Sequence, residues 1–119
     1  MVAQREPQRM TVDNWRKLER TSHDIKHEFI DGHSYTLSGG SLAHGRIGLN
    51  ACLAIEGALL ANNKPCFVYN SAVATRLSPT RYTSTDASVS YDECNQSAHD
   101  KTEVQAACVI VEAAVSSHQ

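Results

Sequence analysis

The sequence predicts a mixed α/β domain, one sheet with a long helix packed on it, and three observations carry that expectation. Two short β-rich runs flank Asp31-Gly32 in "IKHEFIDGHSYTL", a strong hairpin signal. Apolar residues recur every three or four positions from about Leu42 to Ala61, which is the period of a helix. After Pro65 the chain changes to short alternating or continuous apolar runs, ending in "CVIVE". Helix, hairpin, long helix and then strands is the order of a layered α/β domain.

Each element has its own reason. Residues 1–10, "MVAQREPQRM", are polar, contain Pro7 and show no period, so they read as a loose leader, leaving 11–119 as the domain. Thr11 is a capping residue, and Val12, Trp15 and Leu18 follow at helical spacing, which makes a short amphipathic helix. In the hairpin, Phe29, Tyr35 and Leu37 are the expected inward anchors. The glycine pair Gly39-Gly40 makes a turn, and Ser41 caps the main helix, whose expected buried stripe is Ile47, Ala51, Ala54, Ile55, Ala58 and Leu59. "CFVYN" and "AVATRL" read as adjacent strands, "SPTRY" as a turn, and "STDASVSYD" as a weak strand. After a polar loop at 92–103, "VQAACVIVEAA" reads as a central strand buried on both faces.

With 119 residues there is enough chain for one core and too little for two. Only 6% of residues are aromatic against 41% hydrophobic, so the core is expected to be aliphatic and light. A net charge of −2 gives no general attraction for a polyanion, and nucleic-acid contact would need a local basic patch or bridging metal ions. The four cysteines form no CxxC pair and no apolar signal segment opens the chain, which together suggest a reduced, cytoplasmic protein. No run has the length of a membrane span.

Three groups of residues carry candidate chemistry. Asp86 and Glu112 fall in the last two expected strands; if those strands are neighbours, two carboxylates at one sheet edge suit a hard cation such as Mg²⁺. The same positions also fit an aspartate opening a strand and a solvated glutamate. Glu28, in the first hairpin strand, faces the same edge in this reading. His23 and His27 share a face if helical, as in zinc sites, but in a strand they stand too far apart and read as solvated. His44, with Arg46 and Asn50, lies at the start of the long helix, where it suits either a phosphate contact or a polar helix end against the glycine turn.

Taken in order, "MTVDNWRKLE", "HEFIDGHSYTLSGGSLAHGRIGLNACLAI", "KPCFVYNSAVATRL", "RYTSTDASVSYDE" and "CVIVEAAVSS" resemble the Uma-two family, endonucleases of the PD-(D/E)xK superfamily. The resemblance runs from Met10 to the end of the sequence. It implies a restriction-endonuclease-like mixed sheet with flanking helices, DNA as substrate, and Mg²⁺ or Mn²⁺ as cofactor. The family's proline-aspartate motif falls on Thr85-Asp86 and its strand glutamate on Glu112, making both metal ligands, with Glu28 as an accessory acid.

The departures are specific. Thr85 replaces the motif's proline, Ala87 and Ser88 stand where large β-branched residues are usual, and Ala72 and His33 replace acids. The third position of the ExK pattern is Ala114, and the family's lysine comes from a downstream helix. The resemblance therefore implies a chain lacking the family's C-terminal helix and strands, with an exposed strand edge that a second copy would cover as a homodimer. The alternatives are a non-catalytic relic of the fold acting as an interaction module, and a small zinc protein using His23, His27 and the cysteines.

Overall fold

The computed structural model describes residues 7–37, 39–91 and 102–113. It is mixed α/β, with two helices and two sheets rather than the single sheet expected. The strands are β1 (Gln8–Arg9), β2 (His27–Ile30), β3 (His33–Thr36), β4 (Cys66–Tyr69), β5 (Ala74–Ser78), β6 (Arg81–Thr83), β7 (Ala87–Tyr91), β8 (Glu103–Val104) and β9 (Ala107–Val111). The helices are α1 (Val12–Thr21) and α2 (Leu42–Ala61). The larger sheet has the order β1-β3-β2-β6-β5-β8 and the smaller one β4-β7-β9.

Helix α1 starts where Thr11 caps it, its hydroxyl accepting from the Asn14 backbone N–H at 3.2 Å. Trp15, 1% exposed, carries the helix into the core, where its ring centroid lies 5.2 Å from Tyr82 and 6.3 Å from Phe29. Its indole N–H donates to the His27 carbonyl at 3.1 Å, so the largest buried side chain has its polar atom satisfied. One turn of side chain further, Arg16 donates through Nε to Glu103 Oε2 at 2.8 Å and through Nη2 to Oε1 at 3.2 Å. That forked pair ties α1 to β8, and the Glu103 bond chiefly holds the guanidinium pKa above its ordinary value.

The hairpin turn forms at Asp31 (φ 46°) and Gly32 (φ 86°), both in the left-handed region that a two-residue type I′ turn requires. Phe29 is buried as expected, but its cross-strand partner is Ser34. Tyr35 pairs with Glu28 instead, and both Tyr35 and Leu37 are only half-buried. The end of the leader is not loose: Gln8 and Arg9 pair with β3, and Met10 packs against the aromatic cluster.

Beyond α2 the chain alternates between the sheets. β4 and β5, read as neighbours, belong to different sheets. The turn after β5 is only Pro79-Thr80, and Arg81–Thr83 form a strand the sequence did not suggest because it is three residues long and starts on an arginine. Leu77 lies at a bulge in β5 and is 36% exposed, whereas Thr75 is buried. The serine-rich run read as weak is β7, the central strand of the smaller sheet, with Ala87 to Ser90 all buried. Its small side chains suit crowding on both faces, and a hydroxyl bond of 3.4 Å from Thr75 to Ser88 joins the two sheets.

The final apolar run breaks at Gln105-Ala106 into two strands. β8 pairs parallel with β5, and β9 pairs antiparallel with β7. β9 is therefore not central: it ends the order β4-β7-β9 among the described residues, with Cys108, Val109 and Ile110 exposed.

Helix α2 has its expected ends, with Ser41 as cap, but its packed face is rotated from the expected stripe. The half-buried positions are His44, Gly48, Ala51, Cys52, Ile55, Glu56 and Leu59, while Ile47, Ala54 and Ala58 are exposed. The helix lies on β4 and β7, so one side meets protein and Leu42, Leu53 and Leu60 stay exposed. The rotation matters because it brings His44 onto the side that faces β7.

Candidate functional site

The chain leaves the larger sheet at Thr83, crosses through Ser84 and Thr85, and enters the smaller one at Ala87. Ala87 pairs with Val111, so the next residues outward, Asp86 and Glu112, come opposite one another at the same end of β7 and β9. The backbone fixes this arrangement: the Ala113 N–H donates to Asp86 Oδ2 at 2.6 Å. Glu112 thus stands just past the last residue of β9, at the end of the strand rather than inside it.

Both acids open into a cleft of about 530 Å³ whose wall includes Asp24, Lys26, Leu37 and His44. Burial, followed by the charge of Asp86, pushes the Glu112 carboxyl above the usual carboxylate range; Glu28 adds a lesser push, and the Asp86 N–H and His44 oppose it. Glu28 itself is held from behind, its Oε2 accepting from the Thr83 hydroxyl at 3.1 Å. Asp86 and Glu112 therefore share the cleft wall, while Glu28 lies outside it, within electrostatic reach of Glu112.

Two further residues belong to this site. His44 places Nε2 2.7 Å from Asp86 Oδ1, a contact the sequence could not reveal because it spans 42 residues. The signal that finds it is the helical stripe through His44, Gly48 and Cys52, whose thiol donates to the Asp86 carbonyl at 3.6 Å. Burial and the Asp86 charge push that thiol's pKa up, which makes Cys52 a packing residue at neutral pH. Lys26, which sits between the two histidines of "HDIKHE", lines the same cleft and donates to the Ser71 carbonyl.

The histidine pair is not assembled. His23 is exposed, and His27 Nδ1 lies 2.8 Å from Glu19 Oε1. Cys52, Cys66 and Cys108 are free thiols, and Cys94 lies outside the described residues. Among the described residues no three His, Cys, Asp or Glu side chains are already gathered around one point as a metal cluster. The Asp86–Glu112 pair nevertheless fits a hard divalent ion, which binds through one or two carboxylates and keeps several waters.

A family model with the description "Uma2: Putative restriction endonuclease" matches residues 12–119. The chain belongs to the Uma2 family. Its mixed α/β architecture is consistent with the restriction-endonuclease-like fold of that description, and the match spans both sheets and the acidic cleft of this Uma2 chain. No curated protein and no solved structure matches it. No helix among the described residues is long and apolar enough to cross a membrane.

Proposed function

We propose that this Uma2 chain is a metal-dependent endonuclease core that hydrolyses DNA phosphodiester bonds. The observation that carries the reading is the meeting of Asp86 and Glu112 across β7 and β9, with Asp86 Oδ2 held by the Ala113 N–H. Two carboxylates brought together in this way are stabilised by a cation; burial first, and the charge of Asp86 second, hold the Glu112 carboxyl above its ordinary range.

Asp86 and Glu112 would hold Mg²⁺ or Mn²⁺. When bound, such an ion supplies positive charge to a phosphoryl group and lowers the pKa of an attacking water. The Asp86 carboxylate is held at Oδ2 by the Ala113 N–H, and its other oxygen, Oδ1, meets His44 Nε2 at 2.7 Å. Glu28, anchored by Thr83, adds negative charge that strengthens cation binding. Lys26, which lines the same cleft, offers an ammonium to a phosphate oxygen, a role that requires it to leave the Ser71 carbonyl.

Nicking of supercoiled plasmid in Mn²⁺ tests the assignment. Asp86→Ala and Glu112→Ala are each expected to lose more than about 100-fold in rate. Equal nicking by parent and variants rejects the site.

A further inference from the structure

We propose that α2 is a self-association surface: a second copy of this chain lays its own α2 antiparallel against the exposed leucine stripe of the first, with the two-fold axis level with Ala51. The inference goes beyond the nuclease reading and does not rest on it.

The stripe is defined by exposure and spacing. Leu42, Leu49, Leu53 and Leu60 are between 48% and 93% exposed, although α2 packs its other side on β4 and β7. At about 100° of turn per residue, the four fall within about 40° of one another around the helix. Arg46, exposed, and Glu56, half-buried, flank the same face. The six positions advance by 4, 3, 4, 3 and 4 residues, the alternation that keeps a seam facing a partner helix in a coiled coil. A row of exposed leucines on one helix face is a contiguous apolar patch, and removing it from water favours association.

The charges name the occupant. Leu42 and Leu60 stand nine residues either side of Ala51, Arg46 and Glu56 five, and Leu49 and Leu53 two. The face is therefore its own complement when the chain direction is reversed. Leu42 meets the partner's Leu60, Arg46 the partner's Glu56, and Leu49 the partner's Leu53. A two-fold dimer makes each of these contacts twice, as an isologous interface requires. Parallel pairing would instead set Arg46 against the partner's Arg46 and Glu56 against the partner's Glu56, like charges in both cases. Neither side chain has a charged partner of its own among the described residues, so both are available to a second copy. The flanks are low as well: a Cβ on Gly45 or Gly57, six residues either side of Ala51, would meet nothing within 4 Å, which leaves room for a neighbouring helix.

None of the six seam residues lines the acidic cleft, so the seam and the cleft are separate surfaces. From Leu42 to Leu60 the seam runs about 27 Å at 1.5 Å per residue. One helix pair of that length buries an area at the low end of specific interfaces, and the dimer is expected to form at micromolar concentration.

Sedimentation velocity of the full chain from about 1 to 200 µM tests the proposal. The parent is expected to pass from the 13.0 kDa monomer to a dimer across that range. Arg46→Glu and Glu56→Arg each place like charges opposite one another twice per dimer and are expected to weaken association at least about 10-fold. Mixed in equal amounts, the two variants restore both opposite-charge contacts and are expected to associate within about threefold of the parent, as is the double variant Arg46→Glu/Glu56→Arg. Leu53→Gln, at an exposed position outside the core, is expected to weaken association at least about 10-fold and carries the test if Glu56→Arg melts below the parent. A parent that stays monomeric throughout overturns the proposal. A dimer that survives both Arg46→Glu and Leu53→Gln overturns it as well, by placing the contact elsewhere, such as the β9 edge. Folded single-reversal variants that associate weakly and do not recover on mixing overturn the antiparallel register.

Discussion

Replacing Arg16 with methionine removes a charge that the fold has enclosed on one side only. Glu103 has a side chain 3% exposed and accepts charged bonds from Arg16 on both oxygens, at 2.8 and 3.2 Å. Without the guanidinium, a carboxylate is left buried on β8 with the neutral Gln105 amide bonded to it at 3.1 Å, and Tyr82 loses a 3.1 Å partner for its hydroxyl. Breaking a buried pair from one side costs about 3–5 kcal/mol. Because the Arg16 side chain is itself 23% exposed, water offsets part of that, and the lower end, about 3 kcal/mol, applies. For a chain of this length the loss lowers Tm by roughly 10–15 °C. Thermal and urea melts of the parent, Arg16→Met, Glu103→Leu and the double variant complete a cycle. The double variant should recover about 2 kcal/mol relative to the sum of the single changes, since no unpaired charge remains. A loss below about 1 kcal/mol in Arg16→Met, or strict additivity, refutes the claim that this pair fastens α1 to the larger sheet.

Thr85 has a buried hydroxyl with no hydrogen-bond partner among the described residues, so Thr85→Val should stabilise the chain by about 1 kcal/mol in urea melts, and a loss of stability would show that the hydroxyl is engaged. Gly32, at φ 86°, should tolerate alanine poorly, costing about 1 kcal/mol by the same assay, with a neutral result contradicting the type I′ turn. For Glu112 the folded-state pKa lies above the unfolded one, so the native state binds the extra proton and stability falls as pH rises from the ordinary carboxylate range through the raised value. In EDTA, Glu112→Gln should remove that decline, read as a pH-dependent difference in urea midpoint that grows in the variant's favour above the ordinary carboxylate range; a difference of opposite sign rejects the assignment.

Local features were legible because local chemistry decides them. Thr11 and Ser41 cap their helices, and Asp31-Gly32 turns the hairpin, all through contacts within a few residues. Asp86, Glu112 and Glu28 were visible as acids beside strand signals, and the pairing of β7 with β9 brought the first two together. What failed depended on distant partners. β7 looked weak because serine has low strand propensity, yet a strand enclosed on both faces needs small side chains more than branched ones. β9 looked central because its residues are apolar, yet it lies at the end of the smaller sheet's described order. The packed face of α2 was misjudged because apolar residues surround the helix, and only contact with β4 and β7 selects the stripe that carries His44.

The position of the two acids at the mouths of paired strands makes the site sensitive to parity. Side chains alternate faces along a strand, so sliding β9 by a single residue against β7 would send Glu112 to the far side of the sheet while leaving every acid in the sequence. The bulge between Val89 and Ser90 sits inside this counting, absorbing one residue before the acids are reached. A one-residue insertion or deletion between that bulge and Glu112 would therefore act as an off switch, and a second compensating change in the same stretch would turn the site back on.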